Sequence, residues 1–260
     1  MKTKEMLKTL FTGQHMLRLE NTASTNLAAW ELLSKSRPEE GFAVLAQFQT
    51  RGRGQVGTQW ESESGKNLLV SYILYPVFIE PKDLFILNKV VSLGVYDFVK
   101  HVLKKDVCIK WPNDIYYRSN KISGLLIENS VTFSDVNYSI VGIGLNVNQT
   151  KFNTHIPPAT SIKLITKKKY DLEKCFNELS SFIEARYLQL KEKKLSDINN
   201  DYKKVLYRFR EFCIFKKKQV SFKARIVDVM EDGKLLLENE NGKFESFRFK
   251  EISFVMNCES

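Results

Sequence analysis

The stretch KWPNDIYYRSNKISGLLIE, Lys110 to Glu128, reads as a turn, an extended segment and then a buried strand. Proline presets its own φ and asparagine hydrogen-bonds its own backbone, so Pro112 and Asn113 mark a turn. Ile122 to Glu128 is apolar enough for a strand, and Gly124 inside it leaves a gap where another group can lie close. Asp114 and Lys121 then flank a hairpin. Outward from it, Phe42 to Phe48 (FAVLAQF), Asn67 to Tyr75 (NLLVSYILY) and Tyr138 to Val147 read as further strands. Helical patterns lie between them. Ser24 or Thr25 is placed to cap a helix beginning NLAAWELL, and Asp83 to cap an apolar helix reaching about Leu103. From Asp171 to about Lys194, Leu172, Phe176, Leu179, Ile183, Tyr187 and Leu190 recur at spacings of three and four, which predicts a helix. A second helical stretch is expected over Ile198 to Phe212. The mixture implies an α/β or α+β domain with helices packed on a sheet.

After Phe212 the chain changes character. KKKQVSFKARIVDVMEDGKLLLENENGKFESFRFKEISFV contains short strands separated by Asp232-Gly233 and Asn241-Gly242, both hairpin turn signals. This pattern predicts a small β-barrel-like module. The expected division is 1–212 and 213–260, with the boundary near Phe212. No internal repeat or low-complexity segment interrupts the chain.

Bulk composition narrows the class. Hydrophobic residues make up 43% of the 260, enough for a sizeable core. The formal net charge of +10 suits phosphate-bearing ligands, nucleic acid or acidic proteins, and does not choose among them. Cys108, Cys175, Cys213 and Cys258 form no C-x-x-C pair, which predicts free thiols in a reducing cytosol. The N-terminus MKTKEMLKTLF is basic without a long apolar run, and no stretch is apolar enough to span a membrane. A soluble cytoplasmic protein is expected. His15, His101 and His155 are scattered outside any metal-ligand pattern, so no zinc site and no metal ligand is assigned. His101 falls on a helix and reads as packing or surface. Lysine clusters at 167–169 and 216–218 read as solvated faces that could also attract an acidic partner.

Four stretches could carry chemistry. In QTRGRGQVGTQW (Gln49 to Trp60), Gly52, Gly54 and Gly57 lie among Arg51 and Arg53 after a strand. Glycine frees the backbone for unusual angles, exposed N–H groups form an anion-binding concavity, and arginine adds forked donors. Glycine and charge alone do not separate such a site from a flexible basic loop, and neither common phosphate-loop pattern is present. In the second stretch, Lys121 can neutralise a carboxylate or phosphate, and Asp114 can accept a proton or help hold a metal ion. A plain surface hairpin with a solvated charge pair is the competing reading. In VGIGLNVN (Val141 to Asn148), Gly142 and Gly144 fall on one face of a strand, open to a planar group, and Asn146 continues that face. A core strand containing glycines is the alternative. Ser24, Thr25 and Asn26 stand at a helix start, where capping and ligand binding compete.

Together these stretches resemble the biotin–protein ligase family. STN at 24–26, the glycine–arginine loop at 49–60, KWPND…KISGLLIE at 110–128 and GIGLNVN at 142–148 share the order and spacing of that family's motifs. The β-rich tail resembles its small C-terminal domain. The resemblance implies an α+β fold: a mixed β-sheet catalytic domain flanked by helices, of the class II synthetase and SH2-like kind, with an SH3-like C-terminal β-barrel. It implies biotin and ATP as substrates, Mg2+ as cofactor and a biotin carboxyl carrier protein as acceptor. Ser24, Thr25 and Asn26 would hold the ureido ring of biotin, with Gln49 nearby. Arg53 and Gly54 would belong to the loop that closes over biotin and its adenylate. Lys121 would contact the biotin carboxylate and the phosphate formed from it, with Asp114 by the reacting centre. Trp60 would help cover the adenine and Asn146 line the nucleotide side. Gln55 and Gly124 complete the expected binding set.

The chain departs from the family in two ways. Many members carry a second loop arginine where Gln55 stands, so either Arg51 takes up part of that charge or the loop retains the adenylate differently. Some members also carry an N-terminal helix-turn-helix domain. Here only about twenty residues precede the first motif, too few for one. A ligase with no operator-binding role is expected, and dimerisation through a sheet edge is left open. The rival enzyme reading is a lipoate or octanoate ligase of the same fold. The rival from another class is a nucleic-acid-binding protein, with steeply salt-dependent affinity.

Overall fold

LLVSYIL, which forms β3 (Leu68–Leu74), is buried at every position. A strand covered on both faces carries a continuous apolar run rather than an alternating one. Around it, in chain order, run β1 (Met16–Thr22), α1 (Thr25–Lys35), β2 (Phe42–Gln49), α2 (Phe85–Leu103), β4 (Cys108–Lys110), β5 (Asp114–Tyr117), β6 (Asn120–Val131), β7 (Val136–Leu145), α3 (Ile162–Thr166), α4 (Leu172–Lys191) and α5 (Leu195–Lys204). In this computed structural model the described residues are 9–55, 58–152 and 158–255. Gly57, His155 and Cys258 lie outside them.

The seven strands form one sheet in the order β1-β2-β3-β7-β6-β5-β4. The β1–β2 pair is parallel; the remaining pairs are antiparallel. Side chains alternate between faces along each strand. Leu68, Val70, Tyr72, Val141, Ile143 and Leu145 join the main core with α2 and α4. Val44, Ile73 and Ile140 face the other way and pack with Ala29 of α1. The second face also carries Ser71, Gly142 and Gly144, and it is there that a cleft opens beyond the start of α1.

Helix α4 buries Phe176, Leu179, Ile183, Tyr187 and Leu190, the positions its spacing predicts. It packs closely on α2 because Gly94 has no side chain: a Cβ there would lie 2.9 Å from the Ile183 Cα. Asp171 caps α4, accepting hydrogen bonds from Glu173 N and Lys174 N. Glu184 of α4 is 5% exposed and accepts from three successive backbone N–H groups, Leu10, Phe11 and Thr12, at 2.7, 2.9 and 2.9 Å.

Three local expectations are corrected. Asp83 does not cap α2; it ends a short 3-10 turn begun by Pro81, and Leu84 holds the cap position. Ser24 occupies the cap position of α1 without a side-chain capping bond. The second helical stretch ends at Lys204, because Leu206 pairs with Ile109 of β4 and Phe212 opens a strand instead.

That strand begins a second sheet of β8 (Phe212–Lys217), β9 (Val220–Val229), β10 (Leu235–Asn239), β11 (Phe244–Phe247) and β12 (Ser253–Phe254). Its order is β11-β10-β9-β8-β12, antiparallel throughout, as in an SH3-like module. Gly233 and Gly242 adopt φ of 83° and 73° in its turns, the left-handed region that glycine enters without strain. The two sheets share one apolar core, which runs from Ala43 to Phe247 and Ile252. Polar contacts reinforce the junction: Trp111 Nε1 donates to Gly233 O at 3.0 Å, and the buried Lys89 Nζ donates to Val229 O at 3.0 Å and Asn199 Oδ1 at 2.8 Å. Among the described residues, no helix is long and apolar enough to cross a membrane.

Candidate active site

A cavity of about 980 Å³ opens on the α1 side of the large sheet. Its lining includes Ser24, Thr25, Asn26, Gln49, Arg53, Gly54, Gln55, Trp60, Asp114, Lys121, Gly124 and Asn146. All twelve site residues expected from the sequence therefore converge, although they span strands, a helix start and a loop. Arg51, one of the two alternatives for the loop's missing charge, is exposed and outside the lining.

At one end, the start of α1 presents its side chains to neighbouring strands instead of to its own backbone. Gln49 Oε1 at the end of β2 accepts from Thr25 N at 2.8 Å. Ser71 Oγ, fully buried on β3, lies 2.7 Å from Thr25 Oγ1 and 2.6 Å from Asn26 Oδ1. Asn26 Nδ2 donates to Glu128 Oε2 at 2.7 Å and Leu126 O at 3.2 Å.

The glycine–arginine loop folds back as a hairpin. Arg53 bridges Gln59, Gly54 N donates to Thr58 O at 3.0 Å, and Trp60 N donates to Gly52 O at 2.9 Å. Arg53 is held by Glu128 of β6, with its NH2 2.9 Å from Oε1. The hairpin brings the Trp60 indole onto the strand face bared by Gly144. A Cβ at Gly144 would run into the indole ring, and one at Gly142 would run into the Asn26 amide. The glycine face is thus covered by the protein's own Trp60 and Asn26, which corrects the expectation that it lies open to a planar ligand group.

In the centre, Lys121 Nζ pairs with Asp114 Oδ1 at 2.8 Å, both side chains about a quarter exposed. Gly124 makes room for them, since a Cβ there would lie 2.9 Å from the Lys121 Nζ. The Lys121 backbone is pinned by segment 158–160, through N to Pro158 O at 2.8 Å and O from Thr160 N at 2.9 Å. Lys121 Nζ also lies 5.7 Å from the Trp60 ring. Lys110 is a further cation on the wall, beside the Tyr116 and Phe254 rings. Burial draws its ammonium below the ordinary lysine pKa; Asp114 opposes this and Lys121 adds to it.

Gln55 Oε1, Trp60 Nε1 and Asn146 Oδ1 are buried without hydrogen-bond partners among the described residues. Such groups cost about 1–3 kcal/mol each when left unpaired. Three of them around one polar cavity suit a ligand that brings the missing partners. The outer wall is closed by Phe249, Lys250, Ile252, Ser253 and Phe254 from the second sheet, together with Phe152 and Ala159. Sequence reading missed these, along with Ser71, Lys110 and Glu128. Only Glu128 and Lys110 lay within a motif, and the rest reach the site through tertiary packing alone.

Known proteins provide an independent comparison. A family profile described as "Biotin/lipoate A/B protein ligase family" matches residues 19–146. The bifunctional ligase/repressor BirA of Bacillus spizizenii is 28% identical over 239 residues, 91% of this chain and 73% of that protein. The biotin–[acetyl-CoA-carboxylase] ligase of Mycobacterium tuberculosis is 28% identical over 171 residues, 65% of this chain and 62% of its own length. Among solved structures, the biotin protein ligase from Aquifex aeolicus in complex with biotin and ATP superimposes with a TM-score of 0.76 at 26% identity. The superposition covers 92% of this chain and 98% of that one.

Proposed function

We propose that this chain is an ATP-dependent biotin–protein ligase, a reading supported by the match of residues 19–146 to the biotin/lipoate A/B protein ligase family and by the likeness to the Bacillus and Aquifex proteins. The observation that carries the reading is the one cavity in which cations, unpaired polar atoms and a stacked indole from four separated motifs meet. The reaction has two steps. The biotin carboxylate attacks the α-phosphorus of ATP, forming biotinyl-5'-AMP and releasing pyrophosphate. A lysine amine of a biotin carboxyl carrier protein then attacks the acyl carbon and releases AMP. Residues 1–212 supply the catalytic domain and 213–260 the small β-domain that closes the nucleotide end. The free thiols of Cys108, Cys175 and Cys213 and the use of ATP fit a cytoplasmic enzyme.

Each residue has a physical task in this reading. Ser24, Thr25, Asn26 and Gln49 meet the polar ring of biotin. Lys121 and Arg53 neutralise the repulsion between a carboxylate and a triphosphate. Asp114 orients the incoming lysine, whose unperturbed pKa of about 10.4 brings it in protonated. The 53–59 hairpin, with Gly54 and Gln55, shields the mixed anhydride from water. Trp60 and Asn146 line the base. A resident Mg2+ site does not fit the residues present: Asp114 and Glu128 are in ion pairs, and no group of three metal-ligating side chains occurs among the described residues. Mg2+ is accordingly assigned to the nucleotide substrate.

The direct test mixes pure protein with MgATP and biotin, lipoate or octanoate in turn, then identifies the adenylate by mass spectrometry. Biotinyl-AMP alone is expected. An octanoyl or lipoyl adenylate in its place overturns the assignment. Substrate positions separate along the glycine face. Gly144→Ala displaces the Trp60 indole, and stacking on an aromatic is worth about 1–3 kcal/mol per base, so the KM for ATP should rise about tenfold. The KM for biotin should change less than about twofold. Equal changes in both, measured by pyrophosphate release, contradict the placement of Trp60 on the nucleotide side.

A further inference from the structure

Glu128 has no role in the assignments above, yet its one carboxylate touches both ends of the biotin site. Oε2 accepts from Asn26 Nδ2 at 2.7 Å, while Oε1 holds the Arg53 NH2 at 2.9 Å and Oε2 also lies 3.4 Å from its NH1. An ionised carboxylate only accepts hydrogen bonds. It therefore fixes which way the Asn26 amide points. Both amide protons are spent on Glu128 and Leu126 O, leaving Asn26 Oδ1 as an acceptor. Ser71 Oγ, 2.6 Å away, must give it its single proton. Ser71 Oγ also lies 2.7 Å from Thr25 Oγ1, whose hydroxyl donates to Gln49 Oε1 at 3.1 Å. Gln49 Oε1 accepts from the Thr25 backbone N–H as well, at 2.8 Å. The polarity of the Asn26–Ser71 pair at the ring-binding end follows from one acceptor-only group on β6. The same group sets the position of Arg53, whose own side chain is half exposed and has no other ion pair among the described residues.

We propose that Glu128 is a positioning residue that couples the two ends of the ligand: it sets the donor–acceptor pattern met by the ring and parks Arg53 over the cavity until the acyl phosphate takes it over. The proposal rests on the ligase reading. Glutamine at this position keeps the shape but has one acceptor oxygen, one donor nitrogen and no charge, so it cannot hold Arg53 through one Oε position while accepting from Asn26 through the other.

The test uses the full chain and the variant Glu128→Gln, with two readouts. The KM for biotin in adenylate formation should rise about tenfold, as expected for loss of a charge-assisted hydrogen bond. The fraction of biotinyl-AMP found free in solution should rise by a similar factor, because Arg53 is no longer positioned. In an Arg53→Met background the same change should still raise the KM but leave the leak unaltered, a split that a merely structural defect does not produce. A Glu128→Gln enzyme with a biotin KM within twofold of the parent, or a leak that grows equally in the Arg53→Met background, overturns the proposal. Failure of the ligase reading looks different, since the unmodified protein then makes no biotinyl-AMP at all.

Discussion

Replacing Lys121 with alanine is expected to slow pyrophosphate release from biotin and ATP by about 10²–10³-fold, the loss seen when one preorganised charge-stabilising group is removed. The first step drives a carboxylate onto a polyphosphate, and Lys121 Nζ sits at the centre of the cavity where these must meet. Its removal has a second effect. Asp114, now 2.8 Å from the ammonium, would face the approaching anions with its partner gone. Desolvated like charges repel more strongly than in water, so the two losses reinforce each other. Lys121→Arg should not restore the rate. The ammonium occupies space that exists only because Gly124 has no Cβ, and a planar guanidinium is a poor replacement in so confined a place. A Lys121→Ala rate within about tenfold of the parent would remove Lys121 from the chemistry.

The second large effect concerns stability. Glu184→Ala should destabilise the fold by about 2–4 kcal/mol in urea unfolding with an unchanged m-value. Three backbone N–H groups end on this carboxylate. Leu10 is 78% exposed and can turn to water, but Thr12 is 1% exposed and cannot. Alanine thus leaves buried donors unpaired, besides opening a gap between the segment before β1 and helix α4. Glutamine keeps one acceptor oxygen and should fall between the two. If Glu184→Ala unfolds within about 0.5 kcal/mol of the parent, the anchoring role is wrong.

Much of this architecture is written in local pattern, and its limits are physical. The fully apolar run of β3 and the three-and-four spacing of α4 reveal themselves because burial imposes a period. MLRLENT in β1 shows no such period, since as an edge strand it is only partly covered, and it went unrecognised. Helix α5 was read as too long because apolar Val205, Leu206, Phe209 and Phe212 continue the pattern while serving a bridge, a turn and a new strand. The motif residues were legible as a set. Their occupancy was not: a bare glycine face in sequence does not say that Trp60, reaching in from a hairpin, will cover it. Ser71 and Phe254 carry no local sign of their place, because one is an ordinary serine in a buried strand and the other an ordinary aromatic in a short one.

The outer wall has a consequence for how the enzyme first becomes active. Its pocket draws on Ser24 at one extreme and Phe254 at the other. During synthesis the large sheet can form early, since domains fold as the chain emerges. The final wall is still inside the ribosome at that stage. A tethered nascent chain lacking residues 249–254 would have a complete central sheet but an unfinished vessel, and should release any adenylate it makes. Closure of the pocket therefore waits on residues far along the chain from the motifs at 24–26 and 49–60.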